Sequence, residues 1–179
     1  MFEVFATTPE TMGPGEIGAH AARAEAMGFD GLHVPDAIHD GLLLAALALD
    51  ATSRLLVGTG VLVAFPRSPM NVAIASWDLQ KMSGGRFELG LGTQVKANIE
   101  QRYSARWGAP VAHLREYIES LRAIFRSFQT AEPLRFEGEY YRTVDAAIYD
   151  RPDVPVPVYV AAGGPMVARY AGRVAEGFI

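Results

Sequence analysis

The sequence predicts an α/β protein of the (β/α) TIM-barrel type, because short apolar strands alternate with helices along the chain. Two strands carry this signal most clearly. The strand-like runs 55–57 and 87–89 are each followed by a glycine-threonine element, at 58–60 and 90–93. In proteins with parallel strands, ligands bind beyond the carboxyl ends of the strands. These glycines therefore predict a ligand site at one edge of a parallel sheet.

The other elements follow from hydrophobic periodicity and from stop signals. We predict strands at 3–7, 31–34, 55–63, 86–91 and 156–161, helices at 14–27, 42–51, 70–82, 113–128 and 166–175, and the start of a sixth strand at 177. The helix 113–128 is the clearest, since its apolar residues recur at three- and four-residue steps. Gly28 is expected to end the first helix, and Asp40 to cap the second. Within the irregular stretch 132–155, residues 136–141 indicate a turn between short strands.

Repeated strand-then-helix units imply parallel strands joined by right-handed crossovers. The chain holds about five and a half such units, whereas a closed eight-fold barrel typically takes ~250 residues. We therefore expect a single, partial barrel domain over residues 1–179. An open parallel edge exposes unpaired backbone groups. We expect a partner chain to cover that edge in a homo-oligomer, a dimer in particular.

Composition excludes several classes of function. The formal net charge is −4 and the 16 lysines and arginines are scattered, which argues against broad nucleic-acid binding. Without cysteine, the chain has no disulfide, thiolate metal site or cysteine nucleophile. Its longest apolar run, 42–49, is far shorter than the ~20 residues that span a bilayer. With no visible signal peptide, we expect a cytoplasmic protein that binds a small molecule and no metal, membrane or nucleic acid.

Several motifs together carry a resemblance to a known family. These are the segments 26–32, 58–61, 83–87, 90–93, 138–141 and 161–165. In order and spacing they resemble the luciferase-like superfamily of TIM-barrel oxidoreductases, in particular the branch that uses the deazaflavin coenzyme F420. Residues 39–129 resemble F420-dependent oxidoreductases of unassigned substrate, and the chain from 143 onward, including 147–150, resembles F420-dependent glucose-6-phosphate dehydrogenases. This change implies a seam near residue 142, and the family's longer barrel implies that this one is incomplete.

The resemblance implies a cofactor site formed by backbone at the strand ends. It places a cis peptide at Gly60–Val61, behind the deazaflavin ring, and assigns Ala162, Gly163 and Gly164 to the cofactor side. Free N–H groups at a helix N-terminus favour an anion, which suits the phosphate of the coenzyme.

Three loop residues after the fourth strand are further candidates for contact with the cofactor. Thr93 and Gln94 directly follow the strand and can reach the coenzyme, and Asn98 matches a family position on the cofactor side. Ordinary loop hydrogen bonding is an equally good interpretation of all three.

Asp36 and His39, just past the second strand, are the candidate catalytic residues. Asp36 can accept hydrogen bonds from the coenzyme ring or orient a neighbouring base, and His39 can act as an acid or base near neutral pH. A capping or solvent-facing histidine is the alternative. The chain departs from the sugar-phosphate dehydrogenase pattern, because Ala37 and Val95 stand where that family has its catalytic histidine and its acidic partner.

The other histidines on helices and the two tryptophans are interpreted as structural. His20 and His113 are expected at the surface of their helices. Trp77 and Trp107 are expected to anchor packing rather than to stack on a ligand.

Together, these observations predict an enzyme that transfers hydride between F420 and a small organic substrate. Two alternatives stay open. One is an FMN-dependent monooxygenase on the same barrel. The other is a truncated barrel fragment without catalytic activity.

Overall fold

The computed structural model describes residues 3–145 and 154–178, so the motif at 147–150 and Ile179 lie outside the described part of the chain. Its strands are β1 (Phe5–Thr7), β2 (Gly31–Val34), β3 (Leu56–Thr59), β4 (Leu62–Val63), β5 (Phe87–Gly92), β6 (Leu134–Glu137), β7 (Arg142–Asp145), β8 (Val158–Val160) and β9 (Gly177–Phe178). Its helices are α1 (Pro14–Ala26), α2 (Gly41–Asp50), α3 (Pro69–Ser83), α4 (Pro110–Thr130) and α5 (Pro165–Val174), with a π-helical segment at Asn98–Arg102.

The main sheet is parallel and its strands lie in the order β1-β2-β3-β5-β8-β9, with β4 pairing with β5 beyond the end of β3. Each crossover between neighbouring strands carries a helix, which is the connectivity of a TIM barrel. Within the described residues β9 does not pair with β1, so this sheet is an open part of a barrel. β6 and β7 form a separate antiparallel hairpin between α4 and β8. The predicted fold class is confirmed.

The core lies between the sheet and the helices. Successive strand residues point to opposite faces, and one face is apolar. Its side chains at Leu32, Val57, Leu89, Leu91 and Val160 are fully buried. The opposite face, which we call the inner face, carries His33, Glu88 and Tyr159.

Local signals in the sequence account for several helix ends. Asp40 caps α2, since its carboxylate accepts hydrogen bonds from the N–H groups of Leu42 and Leu43 at 2.9 and 3.0 Å. Gly28 follows α1 at a φ of +89°, a conformation that glycine adopts without strain. Trp77 is buried between α3 and α4, where its ring stacks on Phe125, as predicted.

Arg86, in the glycine-rich turn before β5, links the C-terminal end of α2 to the residues that precede β3. Its guanidinium donates to the carbonyl oxygens of Leu49, Thr52 and Leu55 at 3.0–3.1 Å. The carbonyl of Leu49 lies in the last turn of α2, and those of Thr52 and Leu55 lie between α2 and β3. The motif at 83–87 therefore has a structural function.

Three elements differ from their predictions. The strand predicted at 55–63 is divided into β3 and β4, because the chain bends at Gly60–Val61. The π-helical segment Asn98–Arg102 was not predicted. Helix α4 begins earlier than predicted because Pro110 stands at its first position, where the fixed φ of proline favours a helix.

The predicted surface position is wrong for His113, which is only 4% exposed. Its ring is covered by the β6–β7 hairpin, a non-local contact that helix periodicity does not reveal. His20 is half-buried, and its Nε2 lies in the interior with no hydrogen-bond partner among the described residues. Among the described helices, none is long and apolar enough to cross a membrane.

Candidate functional site

A cavity of about 400 Å³ lies at the carboxyl ends of the parallel strands. Loops that follow five strands contribute to its wall. Of the predicted site residues, Asp36, Gly60, Val61, Thr93, Gln94 and Gly163 line it. The sheet thus brings together residues that are far apart in the sequence, and we call this cavity the groove.

A second cavity, of about 410 Å³, adjoins the groove and shares Thr93, Ala161 and Gly163 with it. It extends past Gly164 to the N-termini of α4 and α5. A Cβ atom added to Gly163 or Gly164 would meet nothing within 4 Å, so the backbone here is open. The first N–H groups of a helix lack partners within the helix, and the positive end of its dipole favours an anion. The start of α5 therefore offers backbone N–H groups to an anion beyond Pro165, in a cavity whose lining is otherwise mostly apolar.

The bend between β3 and β4 forms the floor of the groove. The Gly60–Val61 peptide is cis, as the resemblance implied. Beside it the buried hydroxyl of Thr59 donates to the carbonyl of Gly90 at 2.8 Å and accepts from its N–H at 2.9 Å. The Thr59 side chain thus takes the place of the backbone hydrogen bonds between β3 and β5 where β3 ends. A Cβ on Gly92 would lie 2.5 Å from Cγ2 of Val61, so the Val61 side chain packs directly on the Gly92 backbone.

Asp36 lies at the groove wall and is 8% exposed. One carboxylate oxygen accepts from the N–H of Gly41 at 3.0 Å, the other from that of Val63 at 3.0 Å, and Arg67 donates to both, at 3.0 and 3.2 Å. Asp36 therefore ties α2 and β4 together. Because both oxygens already have two protein donors, the geometry favours a structural role for Asp36 over that of a free base.

Arg67 joins Asp36 to Asp40, to which it donates at 3.0 Å. Burial acts to lower the pKa of Arg67, but the two carboxylates raise it above its ordinary value. Burial likewise acts to raise the pKa of Asp40, and the N–H of Leu43 together with Arg67 brings it below its usual range. The three side chains form one charged network beside the groove.

Three predicted residues are not among those lining either cavity. His39 is half-buried, and its Nε2 lies 3.5 Å from the place that a Cβ on Gly13 would occupy. Asn98 begins the π-helical segment. Ala162 is half-buried between two residues that do line the groove. Contact of these three with a cofactor, and catalysis by His39, stay predictions.

Glu10 lines the groove from the loop after β1 and was missed in the sequence. Its carboxylate is exposed. The signal was present, since Glu10 follows the first strand as Asp36 follows the second. Ala37 and Val95 also line the groove.

The inner face holds three titratable side chains on neighbouring strands, apart from the groove. Burial raises the pKa of Glu88, although a 3.4 Å hydrogen bond from the Tyr159 hydroxyl opposes this shift. Burial also lowers the pKa of His33, whose ring stacks on Phe5. Within residues 3–145 and 154–178, no cluster of three or more histidine and acidic side chains could hold a metal ion.

Two curated relatives match most of the chain. An uncharacterized protein of Mycobacterium tuberculosis is 44% identical over 163 residues, which cover 89% of this chain and 48% of the relative. An F420-dependent glucose-6-phosphate dehydrogenase of Intrasporangium calvum is 42% identical over an alignment of 184 positions, gaps included. The alignment covers 95% of this chain and 54% of the relative. The chain therefore spans about half the length of these relatives.

Solved structures share the fold. An F420-dependent secondary alcohol dehydrogenase in complex with an F420-acetone adduct superimposes with a TM-score of 0.83 and 26% identity, over 98% of this chain and 56% of that one. The oxygenating constituent of 3,6-diketocamphane monooxygenase from Pseudomonas putida, in complex with FMN, gives a TM-score of 0.78 at 17% identity, over 99% and 57%. The family model for luciferase-like monooxygenases matches residues 1–179, and the chain belongs to this family.

Proposed function

We propose that this chain forms the cofactor groove of an F420-dependent oxidoreductase, which transfers hydride between the deazaflavin and a small organic substrate. One observation carries the proposal: Gly60–Val61, Thr93–Gln94 and Gly163 meet in one groove at the strand ends. The F420-dependent relatives support the identity of the cofactor. The coenzyme, when bound, supplies the redox chemistry, and the protein supplies binding and orientation.

The residues present fit such a coenzyme. The groove and the adjoining cavity measure about 400 and 410 Å³, sizes typical of small-molecule sites. Val61 offers an apolar surface for a planar ring. The open backbone at Gly163 and Gly164, before α5, offers N–H groups to a phosphate.

Proton transfer to the substrate is assigned to one of two side chains. His39 is the candidate from the sequence. Because it lies beside Gly13 and does not line the groove, a substrate would have to extend past the groove wall to reach it. Glu10 is the candidate from the structure, because its exposed carboxylate lines the groove. Asp36 is assigned the role of holding the wall, since its oxygens already have donors.

The substrate is proposed to be an alcohol or an activated alkene rather than a sugar phosphate. The resemblance to sugar-phosphate dehydrogenases requires a histidine and an acid at the positions of Ala37 and Val95. Both of these residues line the groove, where neither side chain can exchange a proton.

A fluorescence titration tests the cofactor assignment. We expect the purified chain to quench F420 fluorescence with micromolar affinity, which corresponds to about −8 kcal/mol. The FMN-bound structural neighbour favours a second candidate, a flavin monooxygenase. Tight binding of FMN with oxygen consumption by its reduced form would favour that candidate. Absence of binding to either compound would leave a non-catalytic fragment.

A homo-oligomer and a cytoplasmic location stay predictions. Light scattering is expected to give the mass of two chains. The mass of a single chain would contradict it.

A further inference from the structure

Behind the groove, a stack of aromatic rings joins α4 to the β6–β7 hairpin. The ring of His113 lies between those of Phe65 and Tyr140, with centroid distances of 3.9 and 4.2 Å and interplanar angles of 14° and 19°. The Tyr141 hydroxyl and His113 Nε2 share a hydrogen bond of 2.8 Å. We call Phe65, His113, Tyr140 and Tyr141 the aromatic clamp.

Glu116 holds the hairpin end of this clamp. Its buried carboxylate accepts hydrogen bonds from three successive N–H groups, those of Glu139, Tyr140 and Tyr141, at 2.9, 2.6 and 2.7 Å. Hydrogen bonds to an ionised acceptor are about twice as strong as neutral ones. A Cβ on Gly138 would overlap the same carboxylate, so the hairpin turn is shaped around it.

The clamp reaches both walls of the ligand cavities. Phe65 lies two residues beyond Val63, which lines the groove at the end of β4. His113 lies two residues beyond Val111, which lines the adjoining cavity at the start of α4. The contact between the rings of Phe65 and His113 therefore connects the two walls.

The polar groups of the clamp are suited to a fixed arrangement. Burial lowers the pKa of His113, although the charge of Glu116 opposes this shift. Burial and the same charge raise the pKa of Tyr141. Both rings are thus neutral near pH 7, and their stacking involves no buried charge apart from the fully paired Glu116.

We propose that Glu116 is a positioning residue of the cofactor site: through the hairpin and the aromatic clamp it sets the distance between the β4 wall and the α4 wall. This inference rests on the proposed function, because it concerns the fit of F420 between those walls. Packed cores and supporting hydrogen bonds can hold a site to within about half an ångström. Glu116 does so without touching the ligand.

The test compares Glu116→Gln with Glu119→Gln on the same helix. Glutamine keeps the shape but turns an NH₂ group toward one N–H of the hairpin and removes the charge. Glu119 has a side chain that is 47% exposed and no bond to the hairpin among the described residues. We expect Glu116→Gln to bind F420 about tenfold more weakly, a difference that corresponds to 1.4 kcal/mol. Glu119→Gln should bind as the unchanged protein does.

Fluorescence titration is carried out well below the melting temperature of each variant, so that a purely structural effect leaves the Kd unchanged. Hydrogen exchange of residues 61–67 is measured alongside, and we expect faster exchange in Glu116→Gln only. An unchanged Kd in Glu116→Gln would overturn the inference while leaving the proposed function intact. Failure of the unchanged protein to bind F420 would overturn the proposed function, and this inference with it.

Tyr141→Phe provides a second test if Glu116→Gln does not fold. It removes only the hydroxyl that bonds His113 Nε2 and leaves the stacked rings in place. We expect about threefold weaker F420 binding, less than for Glu116→Gln, because one hydrogen bond of the clamp is lost. An affinity equal to that of the unchanged protein would contradict the inference.

Discussion

The carboxylates at the groove edge and on the inner face of the same sheet have opposite surroundings. At the edge, Asp36 is buried, and backbone N–H groups and Arg67 occupy both of its oxygens. On the inner face, Glu88 accepts one 3.4 Å hydrogen bond from Tyr159, and its pKa is raised by burial. At the edge, the charges of Asp36 and Arg67 are therefore paired with each other within the protein. On the inner face, burial disfavours the charged form of Glu88.

The glycines at the edge and on the inner face also differ, in the space that surrounds them. At the edge, Gly163 and Gly164 open onto free space, which leaves backbone groups for a ligand. On the inner face, Gly58 lies against the His33 ring, since a Cβ on it would come to 3.0 Å from Cδ2 of that ring. Glycine thus leaves open space at the strand ends and makes room for a packed side chain on the inner face.

Removal of the Asp36 carboxylate should have the largest effect. Asp36→Ala leaves two N–H groups and Arg67 without their buried partner, and such a loss typically costs about 3 kcal/mol. Urea denaturation measures the change. Asp50→Ala, at the exposed end of α2, is the control and should stay within about 0.5 kcal/mol. Equal midpoints for the two variants would show that the edge network contributes nothing to stability.

Gly92→Ala should have the next largest effect, and on binding. The added methyl group would press on Cγ2 of Val61, 2.5 Å away, and displace the side chain that we propose faces the coenzyme ring. We expect F420 affinity to fall about tenfold, or 1.4 kcal/mol. The matched control is Gly15→Ala, where the methyl group meets nothing within 4 Å. Similar affinities in both variants would place the ring elsewhere.

Acid should lower stability through His33 on the inner face, although protonation of Glu88 on the same face acts in the opposite direction. Burial lowers the pKa of His33, so on acidification the unfolded chain takes up a proton before the folded one does. Stability is therefore complete above the ordinary histidine pKa of about 6.5 and falls as the pH drops below it. Urea midpoints at pH 7.5 and 5.5 measure the slope. His33→Gln should reduce this slope without abolishing it, because His113 shifts in the same direction. A slope unaffected by the substitution would contradict the account.

Glu88→Gln should have the smallest effect and the opposite sign. The raised pKa of Glu88 means that its protonated form is favoured on folding, and this advantage is lost as the pH rises through that pKa. At pH 7 a neutral amide should therefore raise the melting temperature, by about 2 °C. This rise in melting temperature should vanish at pH 4. The control Glu100→Gln, which changes an exposed carboxylate, should show no rise. A lower melting temperature at pH 7 would mean that the hydrogen bond from Tyr159 to the Glu88 carboxylate outweighs the cost of its burial.

Local signals in the sequence were sufficient for the elements and for much of the groove. Strand ends followed by glycine located Gly60, Thr93 and Gly163, because parallel strands bring their carboxyl ends to one edge. Asp40 was correctly predicted as a cap since its donors are only two and three residues away.

The features that were not predicted depend on contacts between distant segments. The burial of His113 results from a hairpin 27 residues further along the chain, as shown by its stacking on Tyr140. The partners of Asp36 include Val63 and Arg67, which only the fold brings near. No sequence pattern distinguishes a catalytic carboxylate from one that is fully bonded within the protein.

An amide NMR titration with F420 tests most directly the claim that the strand-end groove is the cofactor site. The account predicts saturable shifts at Gly60–Val61, Thr93–Gln94 and Gly163–Gly164, with little change at Glu88 and Tyr159. Saturable shifts confined to the inner face, with the strand ends unaffected, would contradict it.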